Sequence, residues 1–185
     1  MKTIALMSTD PKTGKTTVAV NLAFGLMKAG HKVLIWNLSK DDFLYRWLDI
    51  NKESLTGDNA IHTITNRMGF DVLVGGEFSN NLKEYISQIS TDYDYLLLDT
   101  DTGPESLNAA KLADIVIVCT DLSPEDPENL AVLDRKLQDM TSGQAGINLV
   151  VPCKIKVGEW ENNTKQLIDI ADRIGYEKIA DLIPE

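Results

Sequence analysis

The chain has 185 residues, 43% hydrophobic and 25% charged, with 18 basic and 28 acidic side chains and a formal net charge of −10. That composition suits one folded α/β-sized domain, read as a single unit over residues 1–185, rather than a disordered segment. The acidic balance argues against a broad nucleic-acid footprint, which needs clustered Lys and Arg, so direct DNA binding is not expected.

Two cysteines, Cys119 and Cys153, are too few for a disulfide framework and lack metal-ligand spacing. Both end apolar runs, which predicts buried, reduced thiols and a cytoplasmic protein. No apolar run reaches the roughly 18 residues of a membrane span. The segment Asp181–Glu185 is short and acidic and offers no membrane-targeting tail.

Met1–Met7 reads as a strand buried on both faces. A helix follows from Lys15, with Val18, Leu22, Leu26 and Ala29 on one face and Gly30 ending it. Lys32–Asn37 is a second buried strand. Asp41–Leu48 reads as a short helix capped by Asp41, with Phe43, Leu44, Trp47 and Leu48 sharing a face. Tyr45 and Arg46 on that helix are candidates to face a partner. Ile61–Thr65 alternates weakly and fits a strand or a short helix. Phe70–Val74 is a strand closed by Gly75 and Gly76, and Ser79–Ile89 a helix.

Asp94–Asp99 is a buried strand, and a helix runs from the following loop to Lys111. Asp114–Cys119 is another strand, followed by an acidic loop, Asp121–Glu128, that would repel DNA if exposed. Pro127 suits a first helical turn, and that helix runs to about Met140. Ile147–Val151 is a strand ending at Pro152. Glu159–Ile174 is a helix with Trp160, Leu167, Ile168, Ala171 and Ile174 apolar, followed by Gly175. Strands alternating with helices predict an α/β fold with a mostly parallel sheet. Ligands in such sheets bind at the carboxyl ends of the strands, where the loop after Met7, Asn37, Asp99, Thr120 and Cys153 fall.

The loop Ser8–Thr17 reads S-T-D-P-K-T-G-K-T-T between the first strand and the first helix. That is the context of a phosphate-binding loop. Gly14 would let backbone amides of Lys12, Thr13, Gly14, Lys15, Thr16 and Thr17 face a phosphate. Lys15 would reach the β- and γ-phosphates, and the Thr16 hydroxyl would hold Mg²⁺ together with Asp99. The bland alternative is a strand–helix turn with Lys15 in solvent. The pattern G-x-x-x-x-G-K-[ST] expects glycine where Thr9 stands.

G-K-T-T-V-A-V-N-L-A-F-G-L-M-K-A-G-H-K-V-L-I, D-Y-L-L-L-D-T-D-T-G and A-D-I-V-I-V-C-T-D-L-S-P-E together resemble the MinD/ParA family of P-loop ATPases over nearly the whole chain. The resemblance implies a three-layer P-loop NTPase fold with helices flanking a central sheet, the cofactors ATP and Mg²⁺, a nucleotide-sandwich homodimer and an unidentified protein partner. It also implies work in positioning or partitioning cargo. Four departures from the family pattern stand out, the first two bearing on hydrolysis and the last on adenine selectivity. Asp10, Pro11 and Lys12 replace the family's signature lysine and two glycines. Asn37 and Ser39 replace the two switch aspartates, so Asn37 is left to orient water by hydrogen bonding. Asp101 and Thr102 replace two prolines, and Pro152 stands where a base-contacting Asn is expected. The expectation is a nucleotide-binding protein with slow hydrolysis.

Two alternatives stay open at this level. T-D-P-K-T-G-K-T is similar to the loop of dethiobiotin synthetase, an ATP-dependent ligase, although Lys40 lies beyond the strand end where that family holds substrate. Alternatively the loop binds nothing, with Asp10 pairing to Lys15.

Overall fold

A computed structural model of the chain describes residues 1–51, 62–74, 82–102 and 104–184, with the side chains of residues 104 and 105 left out. The elements in order are β1 Lys2–Met7, α1 Lys15–Lys28, β2 Val33–Asn37, α2 Phe43–Trp47, β3 His62–Thr65, β4 Asp71–Val74, α3 Leu82–Ile89 and β5 Tyr95–Asp99. They continue with α4 Pro104–Leu112, β6 Ile115–Thr120, α5 Asp126–Met140, β7 Leu149–Pro152 and α6 Trp160–Ile174. Ile61, Gly75, Gly76 and the start of the helix expected from Ser79 lie outside the described residues.

Seven strands form one sheet in the order β3-β4-β2-β5-β1-β6-β7. Every neighbouring pair is parallel except β3 with β4. The near-continuous apolar runs serve both faces, because successive side chains point to opposite sides of a strand. Ile4, Leu6, Val33, Ile35 and Leu97 pack with α1 on one face. On the other, Leu34, Trp36, Leu96 and Leu98 meet α3 and Ala109, while Met7, Val116, Val118 and Val150 meet α5 and α6. The three-layer architecture expected from the sequence is present.

Three helices bury faces shifted from those expected. In α1 the most deeply buried residues are Lys15, Ala19, Val20 and Ala23, with Val18, Leu22 and Leu26 at the margin. Small side chains bring this helix close to the sheet. In α6 the buried stripe is Asn163, Gln166, Ile170, Ala171 and Ile174, which leaves Trp160 and Ile168 exposed. In α2, Leu44 and Tyr45 face inward while Phe43 and Trp47 stand 47% and 37% exposed. Tyr45, expected as a surface candidate, is instead buried in the fold. Burial pushes its hydroxyl up to about 12, and that hydroxyl donates to the Leu73 carbonyl at 3.2 Å, pinning α2 to β4.

Candidate functional site

The site is built where β1 gives way to α1. Gly14 has φ 102°, a left-handed backbone that favours glycine, and it caps α1 without a side-chain bond. Lys15 begins the helix and is buried, and its Nζ donates to Ser8 Oγ at 2.6 Å. Ser8 Oγ in turn donates to the Asp10 carbonyl. Lys15 therefore folds back over its own loop. Among the described residues, Asp10 forms no ion pair with it, contrary to the closed-loop alternative.

The neighbouring strand end supplies the second half. Asn37 and Asp99 are register partners on β2 and β5, and both side chains are buried. Thr16 Oγ1 donates to Asp99 Oδ2 at 2.7 Å. Asp99 Oδ1 is buried and has no hydrogen-bond partner among the described residues. Burial pushes the Asp99 carboxyl up to about 6, opposed by the Thr16 bond and the Lys15 charge and aided by the negative charge of Asp41. An ionised carboxylate with an unused oxygen next to a threonine hydroxyl fits a hard divalent cation with oxygen ligands, such as Mg²⁺.

Asn37 is committed locally. Its Nδ2 donates to the Asp41 carbonyl at 3.0 Å, and its Oδ1 accepts from Ser39 N–H at 2.9 Å. It also hydrogen-bonds Tyr45. The amide thus shapes the turn between β2 and α2, and orienting a water would require release of one of these bonds.

The first half of the loop is tied to distant strands. Thr9, in the expected glycine position, donates to Asp126 Oδ1 at 3.0 Å and shares its proton with Asp10 Oδ2 at 3.2 Å. Asp126 is fully buried at the start of α5, where it also accepts from Thr120 Oγ1 and from Ser123 N–H at 3.0 Å. Lys12 has φ 61°, and its carbonyl accepts a short bond from Lys154 Nζ. Thr13 is buried and donates to the Asp10 carbonyl at 3.3 Å. Thr17 is exposed beside Phe43, Arg46 and Trp47.

Lys15, Thr16 and Asp99 thus converge, with Gly14 turning the backbone before them. Lys12 and Thr13 sit on the same loop but spend their resolved contacts on its shape. The sequence reading missed Asp126, counting it only as part of the acidic loop Asp121–Glu128. The signal was present in Asp126-Pro127 at a helix start, opposite a threonine that replaces glycine. Lys154 carried no comparable signal.

No known family profile matches the chain. It is 26% identical over 204 residues to an iron-sulfur cluster carrier protein from Methanococcus maripaludis, covering 96% of this chain and 68% of that one. Its structure is similar to cobyrinic acid a,c-diamide synthase from Mycobacterium smegmatis with bound ADP and magnesium, at TM-score 0.81 and 19% identity over all of this chain and 86% of that chain. It is also similar to a chain of the MinC:MinD cell division protein complex from Aquifex aeolicus, at TM-score 0.74 and 21% identity over all of this chain and 82% of that one. Among the described residues, no helix is long and apolar enough to cross a membrane. The chain has the P-loop NTPase α/β fold of these solved structures, a seven-stranded, mostly parallel sheet with flanking helices.

Proposed function

We propose that this chain is a Mg·ATP-binding, ParA/MinD-like protein that hydrolyses ATP slowly and acts as a nucleotide-dependent positioning or adaptor switch. The observation that carries the reading is the buried, half-satisfied Asp99 carboxylate bonded to Thr16 beside Lys15. Lys15 would leave Ser8 for the phosphates, and backbone amides of Lys12–Thr17 would surround them. Thr16 and Asp99 would hold Mg²⁺, which when bound screens the phosphate charge.

Slow turnover follows from what the rim lacks. Asp10 stands where the resemblance expects a cation, and Asn37 bonds its own turn. Losing a cationic contact of the arginine-finger kind costs about 10³–10⁵ in rate. Two free thiols support a cytoplasmic location. Lys40 is exposed past the end of β2, which disfavours the ligase alternative. A homodimer and a protein partner remain part of the proposal by likeness to the MinD chain, which is found with MinC.

Phosphate release and solution mass, each measured with and without Mg·ATP, test this. The expected result is nucleotide binding with turnover several orders of magnitude below that of an efficient ATPase. Rapid turnover would overturn the slow-switch reading, and absence of binding would overturn the reading altogether.

A further inference from the structure

The two cysteines play no part in the proposed phosphate chemistry, yet they lie beneath it. β6 and β7 run parallel with Cys119 opposite Val151 and Thr120 opposite Pro152. The ladder continues one step, with Cys153 N–H donating to the Thr120 carbonyl at 2.7 Å. Cys119 and Cys153 therefore share a face, two residues out of register, in the buried cluster below α1. Their thiols hydrogen-bond each other. Cys153 also supports the phosphate loop from below: a Cβ added at Gly14 would lie 3.2 Å from its Cβ and 3.3 Å from its Sγ.

We propose that Cys119 and Cys153 form a disulfide under peroxide oxidation, and that closing this bond disturbs the loop at Gly14 and weakens nucleotide binding. The second half rests on the proposed nucleotide site; the first does not. The roles of the two sulfurs differ. The bond from Cys119 holds the Cys153 thiol below its ordinary range, with the Lys154 charge helping and burial opposing. The same bond and burial push the Cys119 thiol up. Cys153 thiolate attacks a peroxide oxygen, the O–O bond breaks, and the departing hydroxide takes a proton to leave as water. Cys119 then attacks the resulting sulfenic sulfur, losing its proton to the departing hydroxyl, which leaves as a second water. Two thiols and one peroxide become one disulfide and two waters.

Geometry links this bond to the loop. Diagonal neighbours in a sheet have Cα atoms roughly 7–8 Å apart, whereas disulfides usually span about 4.4–6.8 Å. Closing the bond must therefore draw backbone in. Cys119 is fixed within β6 between β1 and β7, whereas Cys153 lies just past the end of β7. The segment that yields carries both the Gly14 contact and Lys154, whose ammonium holds the Lys12 carbonyl.

The test uses the full chain, reduced or treated with hydrogen peroxide. Thiol alkylation and mass spectrometry read the bond, amide hydrogen exchange reads Lys12–Thr17, and titration with Mg·ATP reads affinity. The expected result is an intramolecular Cys119–Cys153 bond, faster exchange in the loop, and nucleotide affinity about tenfold weaker, restored by reductant and insensitive to peroxide in C119S. In a glutathione redox buffer, saturating Mg·ATP should lower the ratio of disulfide to dithiol protein by the same factor. Two alkylatable thiols after peroxide treatment would overturn the pair. A formed disulfide with unchanged loop exchange would overturn the coupling. Failure of the reduced protein to bind Mg·ATP would instead sink the nucleotide reading, leaving exchange to decide the coupling.

Discussion

The two halves of the Ser8–Thr17 loop use their polar groups in opposite ways. From Gly14 onward stand the groups that the proposed function assigns to a ligand: a buried ammonium resting on a serine, a hydroxyl on Asp99, and an Asp99 oxygen with no partner among the described residues. From Thr9 to Thr13 the polar groups turn toward the scaffold, through Thr9 to Asp126, the Lys12 carbonyl to Lys154 and Thr13 to the Asp10 carbonyl. The contrast teaches that a loop without the expected glycines is still tied down. The first half is a bracket joining β1 to the ends of β6 and β7, and the second half holds the groups on which the proposed function rests.

The largest effect should come from the ligand-facing half. Lys15→Ala removes the buried cation and should weaken nucleotide binding at least about a hundredfold, since charge-assisted bonds to phosphate are among the strongest in such sites. Fluorescent-nucleotide titration checks it, and a change under threefold would break the division between the halves. Next comes the scaffold half. Asp126→Ala strips the acceptor from Thr9, Thr120 and Ser123 N–H and should cost about 3 kcal/mol in urea unfolding. A double-mutant cycle with Thr9→Val should show coupling of about 1 kcal/mol, and zero coupling would mean that Thr9 is not a bracket.

Asp99→Asn should lower Mg·nucleotide affinity about tenfold while leaving Mg-free binding nearly unchanged. Its pH signature has a definite sign. The folded carboxyl titrates near 6 against a reference of 3.8. Its stabilising contribution in ligand-free protein is therefore fully present below about 3.8 and lost as pH rises through about 6. That amounts to about 2–3 kcal/mol of pH dependence, which Asp99→Asn should flatten. Mg·nucleotide affinity should run the other way and rise through about pH 6, because the metal needs the ionised carboxylate. The smallest effect is Lys154→Met, a two- to threefold loss of affinity of about 0.5 kcal/mol, reflecting one surface bond to the loop backbone.

Much of the fold was legible because two-sided burial leaves an unmistakable trace. Runs such as Val33–Trp36 and Leu96–Leu98 are apolar at every position, and helical segments separate them. The antiparallel β3 was not, since Ile61–Thr65 is short and its alternation fits two structures. Helix faces were read less well. In α6 the apolar set includes Trp160 and Ile168, yet these are exposed while Asn163 and Gln166 are buried. Sequence periodicity locates an apolar stripe without stating which stripe a neighbour covers. At the site, Lys15, Thr16 and Asp99 were legible because each follows an apolar run in a fixed register. The bracket was not, because Thr9 meets Asp126 across 117 positions of chain and Lys12 meets Lys154 across 142.

Isothermal titration of the purified chain with ATP, in the presence and absence of Mg²⁺, tests the central claim most directly. The account predicts saturable heat that Mg²⁺ enhances and that Lys15→Ala abolishes. Absence of heat up to millimolar nucleotide, or equal binding by wild type and Lys15→Ala, would contradict it.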